Sequence, residues 1–271
     1  MKLSLYHKIR IIFGIIILVN TNALSQDSLM VSHEINVQNN ISFINSDASG
    51  YIYLIKKDEI IKINSKGKEL FRYSNKSIGE ISGFDISNAL RPLVFYAQQS
   101  KIIILDNTLS VQETINLEDI SLYRISEIAN SNIDNGIWLY DNDLKQIIKI
   151  DTKLNIIIES GNISMLLNKK NIVPISLKEK NGRLYIGTKK DGILIFDIYC
   201  SYLFSLDVNN SYNLFIDEEM IYSCNNNKII AYNSKTHNNK ELLTKEKYSS
   251  TIRYKHEFLA LSINKLIFLK E

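Results

Sequence analysis

One pattern occurs six times along this chain. A strand-like segment rich in aromatic and branched residues is followed by a short polar turn and a second apolar segment that, in five copies, closes on Asp or Asn. The copies run from Tyr51 to Asn64, Leu93 to Asp106, Ile137 to Asp151, Arg183 to Asp197, Met220 to Asn233 and Phe258 to Leu269. The closing residues Asn64, Asp106, Asp151, Asp197 and Asn233 stand 42, 45, 46 and 36 positions apart. Each copy is preceded by another apolar segment and, except for the last, followed by one, which makes four strands per repeat. A four-stranded twisted sheet leaves its faces and edges uncovered and must stack on units of its own kind. A repeat of about 40 residues with four strands is the pattern of a β-propeller.

The expected innermost strands are residues 41–45, 81–86, 123–129, 172–177, 212–216 and 251–255, and the expected outer strands are 69–73, 111–117, 155–159, 202–208 and 240–244. The sixth copy ends at Glu271 without an outer strand, while a surplus strand, Leu29 to Val37, precedes the first copy. The two anomalies resolve each other if the N-terminal strand completes the last sheet. The fold class expected is therefore all-β: a six-bladed β-propeller with four antiparallel strands per blade, closed by that N-terminal strand.

Local chemistry supports the register. Asx and Gly residues occupy the places where strands three and four must reverse, as in Ser65-Lys66-Gly67-Lys68, because they supply positive φ and bond their own backbone. The closing Asp and Asn residues are read as such turn formers. Tyr53, Phe95, Trp138, Tyr185 and Tyr222 recur at one place in the second strand and are read as core between blades rather than as a stacking platform.

Of 271 residues, 45% are apolar and 23% charged, with 32 basic and 29 acidic side chains interspersed for a net charge of +3. No basic track for nucleic acid arises from that distribution. At the N-terminus, Lys2, Lys8 and Arg10 precede an apolar run from Ile11 to Val19, and Ala23 and Ser25 meet the small-residue requirement of a cleavage site. Those nine apolar residues are too few to span the roughly 30 Å hydrocarbon core as a helix, so residues 1–25 are read as a signal peptide. The mature chain, residues 26–271, is then a single exported domain without a transmembrane segment. Export permits a disulfide between the two cysteines, Cys200 and Cys224. Their expected places in different blades put them beyond the bridging distance of about 7 Å.

Motifs for cofactor chemistry are missing: His7, His33, His237 and His256 lack partners at zinc-ligand spacing, and there is no nucleophile elbow, Walker loop or dinucleotide fingerprint. No cofactor or metal is therefore expected. Polar residues on the innermost strands can converge on the central channel, and these include Asp85, Arg124, Glu127, Lys178, Asp217 and Arg253. Mixed signs there fit a salt-linked plug. They also leave open a calcium-dependent, lactonase-like hydrolase using Asp85, Glu127 and Asp217.

The segment from Ile78 to Leu109 resembles a family of small exported β-propeller proteins of Bacteroidota. It carries the family's Gly-x-Ile, an Asp-x-x-Asn segment, a Phe-Tyr strand and a Leu-Asp-Asn-x-Leu turn. Asp85, Asn88, Leu90, Phe95, Tyr96, Leu105, Asp106, Asn107 and Leu109 fit, whereas Ala89 stands where proline is usual and Pro92 lies further on. The resemblance implies a non-catalytic propeller at the outer membrane or in the periplasm. A similar role is that of the plug-type propeller of the type IX secretion translocon, so another envelope protein, such as a secretion-system component, is the implied partner. The turn Asn88 to Pro92, with Arg91 directed outward, is the expected contact, and Asp85, Asn88, Arg91, Glu127 and Asp217 are the candidate binding residues. Carbohydrate recognition by exposed tyrosines is a further alternative.

Overall fold

Each apolar segment finds its neighbour in sequence as its neighbour in space. The computed structural model describes residues 27–208, 213–225 and 228–271, and these form six sheets arranged as the blades of a propeller. Blade one consists of Phe43–Ser46, Ile52–Ile55, Glu59–Ile63 and Glu69–Ser74, from the axis outward. Blade two is Gly83–Asp85, Leu93–Tyr96, Lys101–Leu105 and Val111–Asn116. Blade three is Ile125–Asn130, Ile137–Asp141, Gln146–Ile150 and Ile156–Glu159. Blade four is Pro174–Lys180, Arg183–Thr188, Ile193–Asp197 and Tyr202–Leu206. Blade five is Asn213–Asp217, Met220–Asn225, Lys228–Asn233 and Asn239–Leu243. In blade six, Ser250–Tyr254, Glu257–Leu261 and Lys265–Lys270 are joined by the N-terminal strand Met30–Asn36. The expected signal peptide, Tyr212 and the turn at 226–227 lie outside the described residues.

The N-terminal strand pairs antiparallel to the last strand, from Met30 opposite Lys270 to Asn36 opposite Lys265. One element exceeds the expectation. Asp27–Ser28 adds to blade five, parallel to its outer strand, with Asp27 opposite Leu242. The chain thus crosses the joint between blades five and six. At the crossing Leu29 is buried, packed in one cluster with Leu242 of blade five and Phe258 and Leu269 of blade six.

Six apolar clusters fill the six joints. Tyr53, Ile60 and Tyr73 of blade one meet Val94, Tyr96 and Leu105 of blade two, and similar clusters follow round the ring to the joint where blade six meets blade one, built by Ile252, Leu259, Phe268, Ile44 and Ile61. The second-strand aromatics Tyr53, Phe95, Trp138, Tyr185 and Tyr222 are all buried in these clusters. Cys200 and Cys224 belong to different clusters and are free thiols. Burial pushes both up to about 12, so neither is a reactive thiolate near neutral pH.

The turn formers act as their chemistry requires. Asp106 Oδ1 accepts from the backbone N–H of Thr108 and Ser110. Asp151, Asp197 and Asn64 do the same two and four residues on, and Asn233 two and three residues on. Three residues after each of the first four lies a left-handed position, held by Leu109, Leu154, Cys200 and Gly67, with φ from 63° to 80°. A left-handed non-glycine residue costs about 1–2 kcal/mol. Leu109 and Cys200 offset that cost by burying their side chains in the joints. At Gly192 a side chain has no room, since its Cβ would stand 2.0 Å from the Leu206 carbonyl oxygen at φ +77°.

If Leu29 pins the closing joint, Leu29→Ala lowers unfolding free energy by about 2–5 kcal/mol in denaturant titration. Met30→Ala, next to it and exposed, stays within about 0.5 kcal/mol of the parent; equal effects of the two would remove the pin.

Candidate functional site

Turns joining first to second and third to fourth strands lie on one face of the disc, the turn face. Turns joining second to third strands and the blade-to-blade connections lie on the other, the loop face. The innermost strands of all six blades start at the loop face and line the channel. Of the five candidate residues, the structure brings Asp85 and Glu127 to the axis and leaves the others elsewhere.

Asp85 ends the innermost strand of blade two and is buried. Its Oδ1 accepts from Ser87 N–H, the Ser87 hydroxyl and Asn130 Nδ2 of blade three, and its Oδ2 accepts from Lys178 Nζ of blade four at 2.9 Å. Burial pushes the Asp85 carboxyl up, but the Lys178 charge and the Ser87 hydrogen bonds prevail and hold it below the usual carboxylate range. The Lys178–Asp85 pair joins blades that are not neighbours, and it forms the salt-linked plug at the turn-face end.

Arg91 is a correction to the outward rim contact. Its Nη1 donates to Asn130 Oδ1 at 3.1 Å, and Asn130 Nδ2 returns a bond to the Arg91 carbonyl. Burial lowers its pKa, with Glu113 opposing. The reason is local: Asn130 is buried and needs partners for both ends of its amide, and the arginine supplies one. Asn88 closes its own turn, accepting from Leu90 N–H, and the residue of this turn that faces solvent is Leu90, 75% exposed. Asp217 sits at the reversal between the first and second strands of blade five, exposed and opposite Met220. Arg124 is exposed on the loop face, 3.7 Å from Asp143. Among the described residues no three His, Cys, Asp or Glu side chains are grouped to hold a metal, so Asp85, Glu127 and Asp217 do not form the ligand set that a calcium-dependent hydrolase requires.

Above the plug the channel widens into a cavity of about 350 Å³, with wall residues from the innermost strands of all six blades. Ser82 and Ser249, both exposed, mark its mouth on the loop face. Glu127, Lys178 and Arg253 supply its charged groups. Burial pushes the Glu127 carboxyl up to about 8, against the pull of Lys178, so it is mostly protonated at pH 7. The Arg253 guanidinium lies over the rings of Phe258 and Tyr222, at 4.6 and 5.0 Å.

The loop face also carries an apolar patch that the sequence pattern did not disclose. Three segments are stitched together by two backbone bonds and one from a side chain: Asn142 N–H donates to the Arg124 carbonyl, Ile163 N–H to the Lys145 carbonyl, and Asn162 Nδ2 to the Leu144 carbonyl. The connection from blade three to four contains the short helix Ile163–Leu166, capped by the Asn162 side chain, which accepts from Met165 N–H. Ile163 is buried and anchors the helix, while Met165 and Leu166 on it, and Leu144 and Tyr123 on the segments bonded in this way, are 56–80% exposed. The signal was present in the sequence as four apolar residues, Ile163, Met165, Leu166 and Leu167, in a short connection where Ile163 and Leu167 suffice to anchor it.

The raised carboxyl makes a pH test. Between about pH 4.5 and 8 the folded chain holds a proton on Glu127 that the unfolded chain releases, so this group's contribution to stability falls as pH rises through that window and is flat above it. Glu127→Gln therefore gains stability relative to the parent from pH 5 to 8 in thermal unfolding, with the two curves converging near pH 4. A pH-independent difference would place the carboxyl in an ordinary aqueous setting.

No family model and no curated protein matches this chain, while 1141 chains of known structure do, which marks a widely used fold. Among them is the WD40 domain of Pan2 from Neurospora crassa, with a TM-score of 0.60 and 11% identity over 87% of this chain and 79% of that one. A streptogramin B lyase has a TM-score of 0.59 and 12% identity over 88% of this chain and 96% of that one. One of the two is described as a domain and the other as an enzyme, so the likeness is one of fold: the chain is a six-bladed β-propeller.

Proposed function

We propose that this protein is an exported, non-enzymatic interaction scaffold that holds another protein of the bacterial cell envelope, in the manner of a plug-type propeller in a secretion assembly. The observation that carries this reading is the loop-face patch of Tyr123, Leu144, Met165 and Leu166. Single exposed apolar residues are ordinary on any surface. Four on adjoining, hydrogen-bonded segments of one face are the arrangement of an anchor for a partner.

The physical case is one of low ordering cost. The patch stands on a rigid ring, and its backbone is already fixed by the bonds to Arg124, Leu144 and Lys145. A partner therefore loses little of the gained free energy to immobilising the scaffold. Met adds adaptability, because its unbranched thioether fits irregular surfaces. Export and the envelope setting rest on the N-terminal segment and on the resemblance carried by residues 78–109. No helix among the described residues is long and apolar enough to cross a membrane, and attachment to the envelope then runs through the partner.

Affinity purification of the tagged protein from its native envelope tests the reading. Met165→Asp with Leu166→Asp is expected to reduce recovery of the partner about tenfold or more, the size of a hot-spot loss. Leu90→Asp, on the opposite face, leaves recovery unchanged. Full recovery with the double variant, or loss with Leu90→Asp alone, would overturn the assignment of the docking face.

A further inference from the structure

The channel cavity has a chemistry that the docking face does not use. Buried polar atoms are almost always hydrogen-bonded, yet two on opposite walls of the channel have no such partner among the described residues. Arg253 Nε and Ser126 Oγ are fully buried and unbonded, and the Glu127 carboxyl makes no hydrogen bond, having only the Lys178 charge nearby. Arg253 and Glu127 stand on blades six and three, opposite each other across the axis.

The charges do not cancel. Lys178 is neutralised by Asp85 at 2.9 Å, and Glu127 is largely uncharged at pH 7. Arg253 has no carboxylate partner among the described residues; its other contacts are the faces of Tyr222 and Phe258. The cavity therefore keeps close to one positive charge beside partly apolar walls, where a charge-assisted hydrogen bond is stronger than in bulk water. Around that charge the wall is rich in hydroxyls, from Ser46, Ser82, Ser126, Ser249 and Ser250. The volume of about 350 Å³ lies at the small end of the range of about 300–1,000 Å³ seen for ligand pockets.

We propose that the channel of this propeller binds a small hydroxylated carboxylate, a sugar acid, with its carboxylate on Arg253 and its hydroxyls on Ser126 and the other wall serines. The ligand enters from the loop face between Ser82 and Ser249 and rests above the Lys178–Asp85 plug. Glu127, protonated, donates to the ligand from the far wall. A neutral sugar meets Ser126, the wall serine without a partner among the described residues, but leaves the arginine charge uncompensated, and a simple carboxylate such as acetate does the reverse. Selectivity for the combination follows from both.

Calorimetric titration of the purified protein with sodium D-glucuronate, D-glucose and sodium acetate tests this. Saturable one-to-one binding of glucuronate is expected, with glucose and acetate weaker by about tenfold or more, as for loss of a charge-assisted bond. Arg253→Gln removes glucuronate binding, and Ser126→Ala, a small change on the wall, weakens it about threefold or more. No saturable binding of glucuronate would overturn the proposal, as would equal binding of glucose. If Arg253→Gln does not fold, Ser126→Ala decides: unchanged glucuronate affinity in that variant contradicts the site.

Discussion

The ring is closed by a strand pairing between the two ends of the chain, beside the apolar joint of blades six and one. Residues 30–36 and 265–270 come from opposite ends of the chain, and their backbone hydrogen bonds turn an open row of five complete sheets and one incomplete sheet into a closed disc. An open row would expose two apolar blade faces and an unpaired strand edge, both of which invite association. Closure removes them together. Around the ladder, the His33 ring stacks on Phe268 at 3.8 Å and Glu34 pairs with Lys265 at 2.7 Å, while the parallel Asp27–Ser28 strand extends the hold to blade five.

Because every joint has its own apolar cluster, stability is distributed round the ring, and the axis is free to carry polar groups. The Lys178–Asp85 pair sits there at a place no apolar cluster reaches. Removing two charges from water is costly, and the pair is tolerated because Ser87 and Asn130 complete the hydrogen bonds of the carboxylate. Above it the same axis leaves room for the cavity. Its mouth and the patch anchored by Ile163 share the loop face.

How much of this could be read from residues alone depends on whether a feature repeats. Strand period, the closing Asp and Asn residues and the second-strand aromatics recur in successive blades, and their roles as turn formers and joint core were legible. The N-terminal strand was legible from an arithmetic gap, a missing outer strand and a surplus one. Features that occur once were not. Arg91 was expected to face outward because its turn lies on the rim of the disc; its partner Asn130 lies 39 residues away, in the next blade. Asp217 and Asp85 both close innermost strands in sequence, yet one is exposed and the other buried, and the long-range partners of Asp85, Asn130 and Lys178, lie 45 and 93 residues away. The Asp27–Ser28 addition and the outward turn of Met165 and Leu166 likewise depend on tertiary neighbours.

Native-state hydrogen exchange on the closing strand tests the central claim most directly. Those amides of residues 31–35 that face Lys265–Lys270 are expected to exchange only through global unfolding, with the same free energy and the same denaturant dependence as the amides of the last strand itself. Rapid exchange of residues 31–35 through local opening, while residues 265–270 remain protected, would contradict a ring that owes its closure to the N-terminal strand.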